Sequence, residues 1–159
     1  MNVVDKELYL GAALAQIVES PGFESIRKAG PLVGHYCVNE RHDVLIRHTK
    51  SERGPWYFTF RPRDVRAVRT GLDATCAEPG RSFSVGLVCG NAVTCLLTAP
   101  QLVQVLDLGV EEPQSLRVYT RPGAQLAVSG SAGTLKGKVT TNAFPSGLFR
   151  GTRRPNGAS

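Results

Sequence analysis

The stretch from His42 to Arg69 constrains the fold most, because it joins the densest aromatic run of the chain to a series of evenly spaced arginines. Within residues 55–61 large and polar side chains alternate, and a period of two predicts a β-strand with two different faces. One face would carry Trp56, Phe58 and Phe60, and the other Tyr57, Thr59 and Arg61. The first face is expected in the core, since aromatic residues suit a pleated, half-buried surface.

A helix is predicted immediately after this strand. Pro62 fits the first turn of a helix, where its missing N–H costs no hydrogen bond, and the carboxylate of Asp64 complements the N-terminal helix dipole. Spacings of three and four residues then separate an apolar side from a basic side. The apolar side holds Val65, Val68 and Leu72, and the basic side holds Arg63, Arg66 and Arg69. These arginines are expected to face water or a ligand.

The segments before the aromatic strand predict two helices and two further strands. Apolar residues at spacings of three and four predict a helix over residues 5–18, and a short helix over residues 23–28 is expected to follow. Residues 34–38 and 43–49 have strand patterns separated by a polar turn. Together with residues 55–61 they would form an antiparallel meander.

The second half of the chain predicts mainly β-structure. Residues 72–81 are expected to form a loop, and strands at 82–89 and 92–97 flank Gly90-Asn91, a typical hairpin turn. Thr98 with Gln101 fits a capping box, which predicts a helix from there to residue 108. Alternation of apolar and polar residues then predicts strands at 116–120, 124–128 and 134–140.

These elements predict an α+β (mixed α/β) fold with a central sheet, an antiparallel meander, flanking helices and a β-rich C-terminal third. A chain of 159 residues is long enough for one domain with its own core, so residues 1–150 are expected to form a single globular domain. Residues 151–159 have no large apolar side chain to bury and are expected to be a disordered basic tail.

Hydropathy predicts a cytoplasmic protein with no membrane contact. No apolar run approaches the roughly 20 residues that span a bilayer. The N-terminal segment carries two acids where a signal peptide would have a basic region. We therefore expect a soluble chain.

The four cysteines include no CxxC pair, which excludes the usual zinc ribbon and thioredoxin-like motifs and predicts reduced, mostly buried thiols. If Gly90-Asn91 is a two-residue turn, Cys89 lies opposite Ala92 and Cys95 opposite Gly86, on opposite faces of the hairpin. A three-residue loop would reverse that parity.

Charge is segregated into blocks along the chain. Residues 1–40 carry three bases and five acids, 41–70 eight and three, 71–112 one and five, and 113–159 seven and none, within a formal net charge of +6. Such asymmetry favours polyanionic partners, although arginines that only maintain solubility would also explain it.

The element order from residue 5 to residue 108 is helix, three strands, helix, two strands, helix. This order resembles the αβββαβ core of the PD-(D/E)XK nuclease superfamily, which includes restriction enzymes and Holliday-junction resolvases. The resemblance implies two carboxylates that hold Mg²⁺ and a lysine beside the attacked phosphate. Asp43 stands where the first acid would be, but the third strand reads WYFTFR and has neither the second carboxylate nor the lysine. No catalytic residue is carried over, and the resemblance implies a diverged member that has lost metal binding.

Other site motifs are missing from the sequence. The three histidines, His35, His42 and His48, have no local cluster of acids or cysteines that would complete a metal site. Neither GxGxxG, GxxxxGK[ST] nor GxSxG occurs. The sequence therefore predicts no cofactor, no metal and no catalytic residue, and an enzyme is disfavoured.

The leading hypothesis is a non-enzymatic protein that binds DNA or RNA through phosphate contacts, because arginine donates paired hydrogen bonds to phosphate and tyrosine stacks on unpaired bases. The primary patch would be Arg47, Lys50, Tyr57, Arg61, Arg63, Arg66 and Arg69. A second patch would be Arg117, Arg121, Lys136, Lys138, Arg153 and Arg154. Two alternatives remain open: a protein–protein interaction or accessory subunit, including self-association, and a metal-dependent nuclease with a diverged active site.

Overall fold

The computed structural model describes residues 4–152, the last two by their backbone alone. The helices are α1 Asp5–Val18, α2 Pro62–Ala77 and α3 Ala99–Val105, and a 3₁₀-helix covers Ser146–Thr152. The strands are β1 Ile26–Lys28, β2 His35–Val38, β3 His42–Thr49, β4 Trp56–Phe60, β5 Ser82–Cys89, β6 Val93–Thr98, β7 Gln114–Arg121, β8 Gln125–Gly130, β9 Gly133–Thr134 and β10 Val139–Thr140. Helices and mixed sheets together confirm the α+β class. None of the helices in the described range is both long enough and apolar enough to cross a membrane.

The first sheet has the strand order β1-β2-β3-β5-β6. All its neighbours are antiparallel except β3 and β5, which run parallel with His42 opposite Ser82. Parallel neighbours need a long crossover connection. Strand β4 and helix α2 lie between β3 and β5 in the chain and supply that crossover. The arginine-rich helix α2 therefore leads back into the first sheet.

The second sheet has the order β10-β8-β7-β4, and β9 pairs with β8. The aromatic strand β4 belongs to this sheet and pairs with β7, with Trp56 opposite Val118. The predicted meander was therefore wrong in its third strand: β1, β2 and β3 form an antiparallel meander, and residues 55–61 leave it. The burial patterns give the reason, since β3 and β5 are buried along most of their length, whereas β4 alternates between buried and exposed. A strand whose residues alternate between buried and exposed suits a sheet with one solvent-exposed face.

Two apolar cores lie on opposite faces of the first sheet. The larger one fills the space between the two sheets and includes Trp56, Phe58 and Phe60, which confirms the predicted inward face of β4. Val65 and Val68 attach α2 to this core. The smaller core packs Ile17 of α1 and residues of the C-terminal 3₁₀-helix against the other face of the first sheet.

Two predictions of local structure were wrong in the first half of the chain, a helix at 23–28 and a loop at 72–81. Residues 23–28 end in strand β1, because the Asn39 side chain accepts from the backbone amides of Glu24 and Ser25 and so ties this segment beside β2. The expected loop at 72–81 is largely helix, since α2 continues to Ala77. Helix α2 continues through Gly71. A glycine is needed at this position because it lies directly against the Phe83 ring, where a larger residue would not fit.

The hairpin and the C-terminal third differ in detail from the prediction. Cys89 pairs with Val93, so the loop has three residues and the two-residue turn was wrong. Cys89 and Cys95 consequently lie in the same core as free thiols, and burial raises the pKa of Cys89 to about 12 and that of Cys95 further. Thr98 does cap α3 with Gln101, but α3 ends at Val105. The expected strand at 134–140 is reduced to the short strands β9 and β10.

Candidate cationic cleft

A cleft of about 410 Å³ opens where α1, the 31–34 loop, the end of β3 and the start of α2 meet. Five basic side chains line it: Lys6, Arg47, His48, Arg61 and Arg63. These five residues define the cationic cleft. One acid, Asp64, is also part of the lining. Three members of the predicted primary patch therefore meet here.

Arg47 holds the walls of the cleft together. Its Nη2 atom donates to Oδ1 of Asp64, and its Nη1 atom donates to the carbonyl oxygens of Val33, at 2.8 Å, and Ile46, at 2.9 Å. The second carboxylate oxygen of Asp64 accepts the backbone N–H of Arg61 at 2.9 Å, which caps α2. Asp64 is buried and both of its oxygens are engaged, so it contributes little free negative charge to the cleft.

Gly34 allows the 31–34 loop to approach β3 closely. Its φ of +87° lies in the left-handed region that glycine favours. A Cβ atom there would stand 2.5 Å from the carbonyl oxygen of Ile46 and 3.1 Å from Nη1 of Arg47. The hydrogen bond of Arg47 to Val33 in this loop therefore depends on a glycine at this position.

Arg61 and Arg63 are the exposed cations at the start of α2. Within residues 4–152 neither forms an ion pair, and both side chains are exposed. Arg61 is the N-cap residue and Pro62 starts the helix. The junction between β4 and α2 therefore fixes the backbone positions of Arg61 and Arg63. These two guanidinium groups are available to a ligand in the cleft.

His48 is half-buried beside these cations and stacks on Tyr9, with ring centroids 5.4 Å apart. Burial lowers the pKa of His48 below its ordinary value, and Arg47 and Lys6 act in the same direction. Burial likewise lowers the pKa of His35 and of His42. All three imidazoles are therefore neutral in the native protein at neutral pH.

The native protein is expected to lose stability as pH falls below about 6.5, the ordinary pKa of histidine. The unfolded chain takes up protons there, whereas the three native histidines, whose pKa values are lowered, resist protonation until lower pH. Urea unfolding between about pH 7.5 and pH 5 measures the effect and stays above most carboxylate titration. His42→Gln should flatten the pH dependence, because it removes the most buried of the three imidazoles. A free energy of unfolding that is constant over this range would contradict the prediction.

The other basic residues of the predicted primary patch lie outside the cleft. Lys50 pairs with Asp5 at 3.3 Å, and both side chains are exposed. Arg66 and Arg69 both bind Glu111, at 3.2 and 2.8 Å, and Arg69 also donates to the carbonyl of Leu108. These two hydrogen-bonded arginines lower the pKa of Glu111. These arginines thus form two pairs: Arg61 and Arg63 have no acidic partner among the described residues, whereas Arg66 and Arg69 share the carboxylate of Glu111.

Tyr57 extends the cationic cleft along the outer face of the second sheet. Its side chain is 62% exposed, and it shares that face of β4 with Thr59, which lines the cleft. Alternate residues of a strand lie about 7 Å apart. An extended ligand that occupies the cleft would therefore reach the Tyr57 ring.

The second predicted patch is dispersed. Arg117 lies opposite Tyr57 on β7 and its guanidinium stands 4.5 Å from the centre of the Tyr119 ring. Lys138 lines a different cavity. Arg153 and Arg154, with most of the predicted tail, lie outside the described residues.

Asp43, the candidate nuclease acid, is buried and bound by Arg81. The Nη2 atom of Arg81 donates to both carboxylate oxygens at 3.1 Å. Within residues 4–152, no group of three or more histidine, cysteine, aspartate or glutamate side chains is arranged to hold a metal ion.

Sequence reasoning missed Lys6 and His48 as members of the cleft. Lys6 comes from α1, far from the other members along the chain, and no local pattern links it to them. No family model, curated protein or solved structure matches the chain. The resemblance to the PD-(D/E)XK nucleases therefore stays a prediction.

Proposed function

We propose that this protein is a non-enzymatic, cytoplasmic binder of nucleic acid that holds phosphates in the cationic cleft. The observation that carries the proposal is the charge of the cleft: Lys6 and three arginines line it, and the carboxylate of Asp64, the one acid among its described lining residues, is bonded on both oxygens. Arginine suits this role because its planar guanidinium donates two parallel hydrogen bonds to a phosphate.

Single strands are the favoured form of the ligand. Tyr57 is exposed and lies two residues before the cleft-lining Thr59, on the same face of β4. A tyrosine ring in this position can stack on an unpaired base, whereas the bases of a duplex are already stacked on one another. Arg61 and Arg63 would then hold the flanking phosphates, and Arg47 would keep the cleft walls in place.

The test compares two variants of equal charge on the same helix. Arg61→Gln/Arg63→Gln removes the free pair, and Arg66→Gln/Arg69→Gln removes the pair bound to Glu111. Fluorescence anisotropy with labelled single-stranded DNA, RNA and duplex DNA should show at least a tenfold loss of affinity for the first variant, since hydrogen bonds to charged groups contribute about 1.5–3 kcal/mol each. The slope of log affinity against log salt should fall by about 1.4, or 0.7 for each phosphate on a single strand.

The control variant and the wild-type chain decide the outcome. Arg66→Gln/Arg69→Gln should bind almost as the wild type does. Equal losses in both variants would mean that binding follows net charge and that the cleft is not the site. Absence of binding at low salt to all three nucleic acids would refute the proposal, and light scattering that shows a salt-sensitive oligomer would then favour the accessory-subunit alternative. Cleavage that needs Mg²⁺ and disappears in Asp43→Asn would support the nuclease alternative instead.

A further inference from the structure

A second cavity, of about 470 Å³, lies at the other end of the first sheet and shares no lining residue with the cationic cleft. The start of β5, the end of β6, the start of α3, strand β10 and the C-terminal 3₁₀-helix surround it. Gly147 brings the 3₁₀-helix close to β6, since a Cβ there would stand 2.7 Å from Leu96 Cδ2. The volume falls in the range of small-molecule sites.

The cavity walls combine apolar surface with hydroxyl groups. Leu96, Pro100 and Val139 supply apolar lining, and Ser82 and Ser84 supply hydroxyls from alternate positions of β5. No aspartate or glutamate is among its lining residues in the described range. Apolar walls with a few polar groups are typical of sites for organic ligands.

Ser82 is held by the buried His42, and this contact sets the direction of its hydroxyl. His42 Nδ1 lies 2.6 Å from Ser82 Oγ, while His42 Nε2 is buried and has no hydrogen-bond partner in the part of the chain that the structure describes. A proton on Nε2 would bury an unpaired donor, so the favoured tautomer carries its proton on Nδ1 and donates to Ser82. The Ser82 O–H is then free to donate into the cavity. A histidine that donates to the serine does not act as its base, which disfavours a nucleophilic role for Ser82.

Ser84 offers a second donor in the same direction. The residue is only 7% exposed, yet its hydroxyl makes no hydrogen bond to another described residue. Its oxygen is not among the fully buried, unpartnered side-chain atoms of the described residues, so the hydroxyl is accessible from the cavity. A ligand in the cavity can therefore accept a hydrogen bond from it.

Lys138 and Arg150 bring positive charge to the cavity. Both side chains are exposed, and neither forms an ion pair within residues 4–152. Two cations and two hydroxyl donors match a phosphate monoester, which carries a charge of about −1.5 to −2 and three acceptor oxygens.

We propose that this cavity is a second binding site, for a small phosphate monoester with an apolar body. The phosphate accepts from Ser82 and Ser84 and is neutralised by Lys138 and Arg150, and the apolar body packs on Leu96, Pro100 and Val139. The site is independent of nucleic-acid binding in the cationic cleft, because the two share no residue.

Isothermal titration of the full chain with naphthyl phosphate tests the proposal, with naphthol and inorganic phosphate as reference ligands. Naphthyl phosphate should bind at least tenfold more tightly than either reference, since each reference lacks one half of the recognised chemistry. Lys138→Gln/Arg150→Gln should weaken binding by about tenfold or more, and Ser84→Ala, which leaves the charge unchanged, should weaken it severalfold.

Two control variants locate the binding site. Lys136→Gln/Arg121→Gln removes the same charge from exposed residues that do not line the cavity, and it should bind as the wild type does. Arg61→Gln/Arg63→Gln should also retain full affinity, which separates this site from the cationic cleft. The proposal is overturned if naphthol or inorganic phosphate binds as tightly as naphthyl phosphate. It is equally overturned if the cavity variants bind normally or if the cleft variant alone loses binding.

Discussion

Asp64→Ala is expected to lower the free energy of unfolding by about 3 kcal/mol, measured by urea denaturation. The substitution removes the only carboxylate that Arg47 contacts among the described residues and also the acceptor of the Arg61 N–H. Removing one partner of a buried ion pair leaves the other charge without compensation, which costs more than the pair contributes. The Arg47 side chain is 21% exposed and so retains some access to water, which places the expected loss at the lower end for buried pairs.

A double-mutant cycle separates the ion pair from the helix cap. Arg47→Met/Asp64→Ala removes both charges, and it should be less destabilised than the sum of the two single variants by more than about 1 kcal/mol. Glu111→Ala is the comparison, because Glu111 pairs with two arginines of the same helix at an exposed site. It should have a much smaller effect on stability. Additive effects of Arg47→Met and Asp64→Ala would show that the pair does not act as a unit.

The sequence predicted those features of the fold that depend on local pattern. The alternation of β4 placed Trp56, Phe58 and Phe60 in the core, and Pro62 with Asp64 marked the start of α2. Strand pairing is set by tertiary packing, and the pattern of β4 alone does not distinguish a neighbour in the first sheet from β7, which lies more than fifty residues later. The sequence therefore predicted β4 as a strand but assigned it to the wrong sheet.

In the candidate site, too, local pattern predicted some residues, and contacts between distant segments determined the others. Helical spacing identified the arginines of α2, but it did not show that Glu111, in the loop before β7, binds Arg66 and Arg69. Lys6 and His48 reach the cleft only because α1 packs on β3. Which arginines remain free for a ligand is thus decided by contacts between segments far apart in the chain.

Gly71 shows the same principle at a single position. By helix propensity alone, Gly71→Ala in α2 should stabilise the protein by about 1 kcal/mol. In the folded chain a Cβ on Gly71 would stand 2.5 Å from Cε1 of Phe83, a ring buried in the larger core. The Phe83 ring is 1% exposed and would have to shift to admit the methyl group, and overpacking of this kind costs about 1–3 kcal/mol.

Gly71→Ala is accordingly expected to destabilise the protein by about 2 kcal/mol, measured by urea denaturation. Thr70→Ala is the matched control, because Thr70 is the adjacent exposed residue of α2, and it should be neutral or slightly stabilising. Gly71→Ala/Phe83→Leu should be more stable than the sum of its single variants predicts, since the smaller side chain makes room for the new methyl group. A Gly71→Ala protein more stable than the wild type would mean that propensity outweighs packing here, and that α2 does not approach β5 as closely as the Phe83 contact requires.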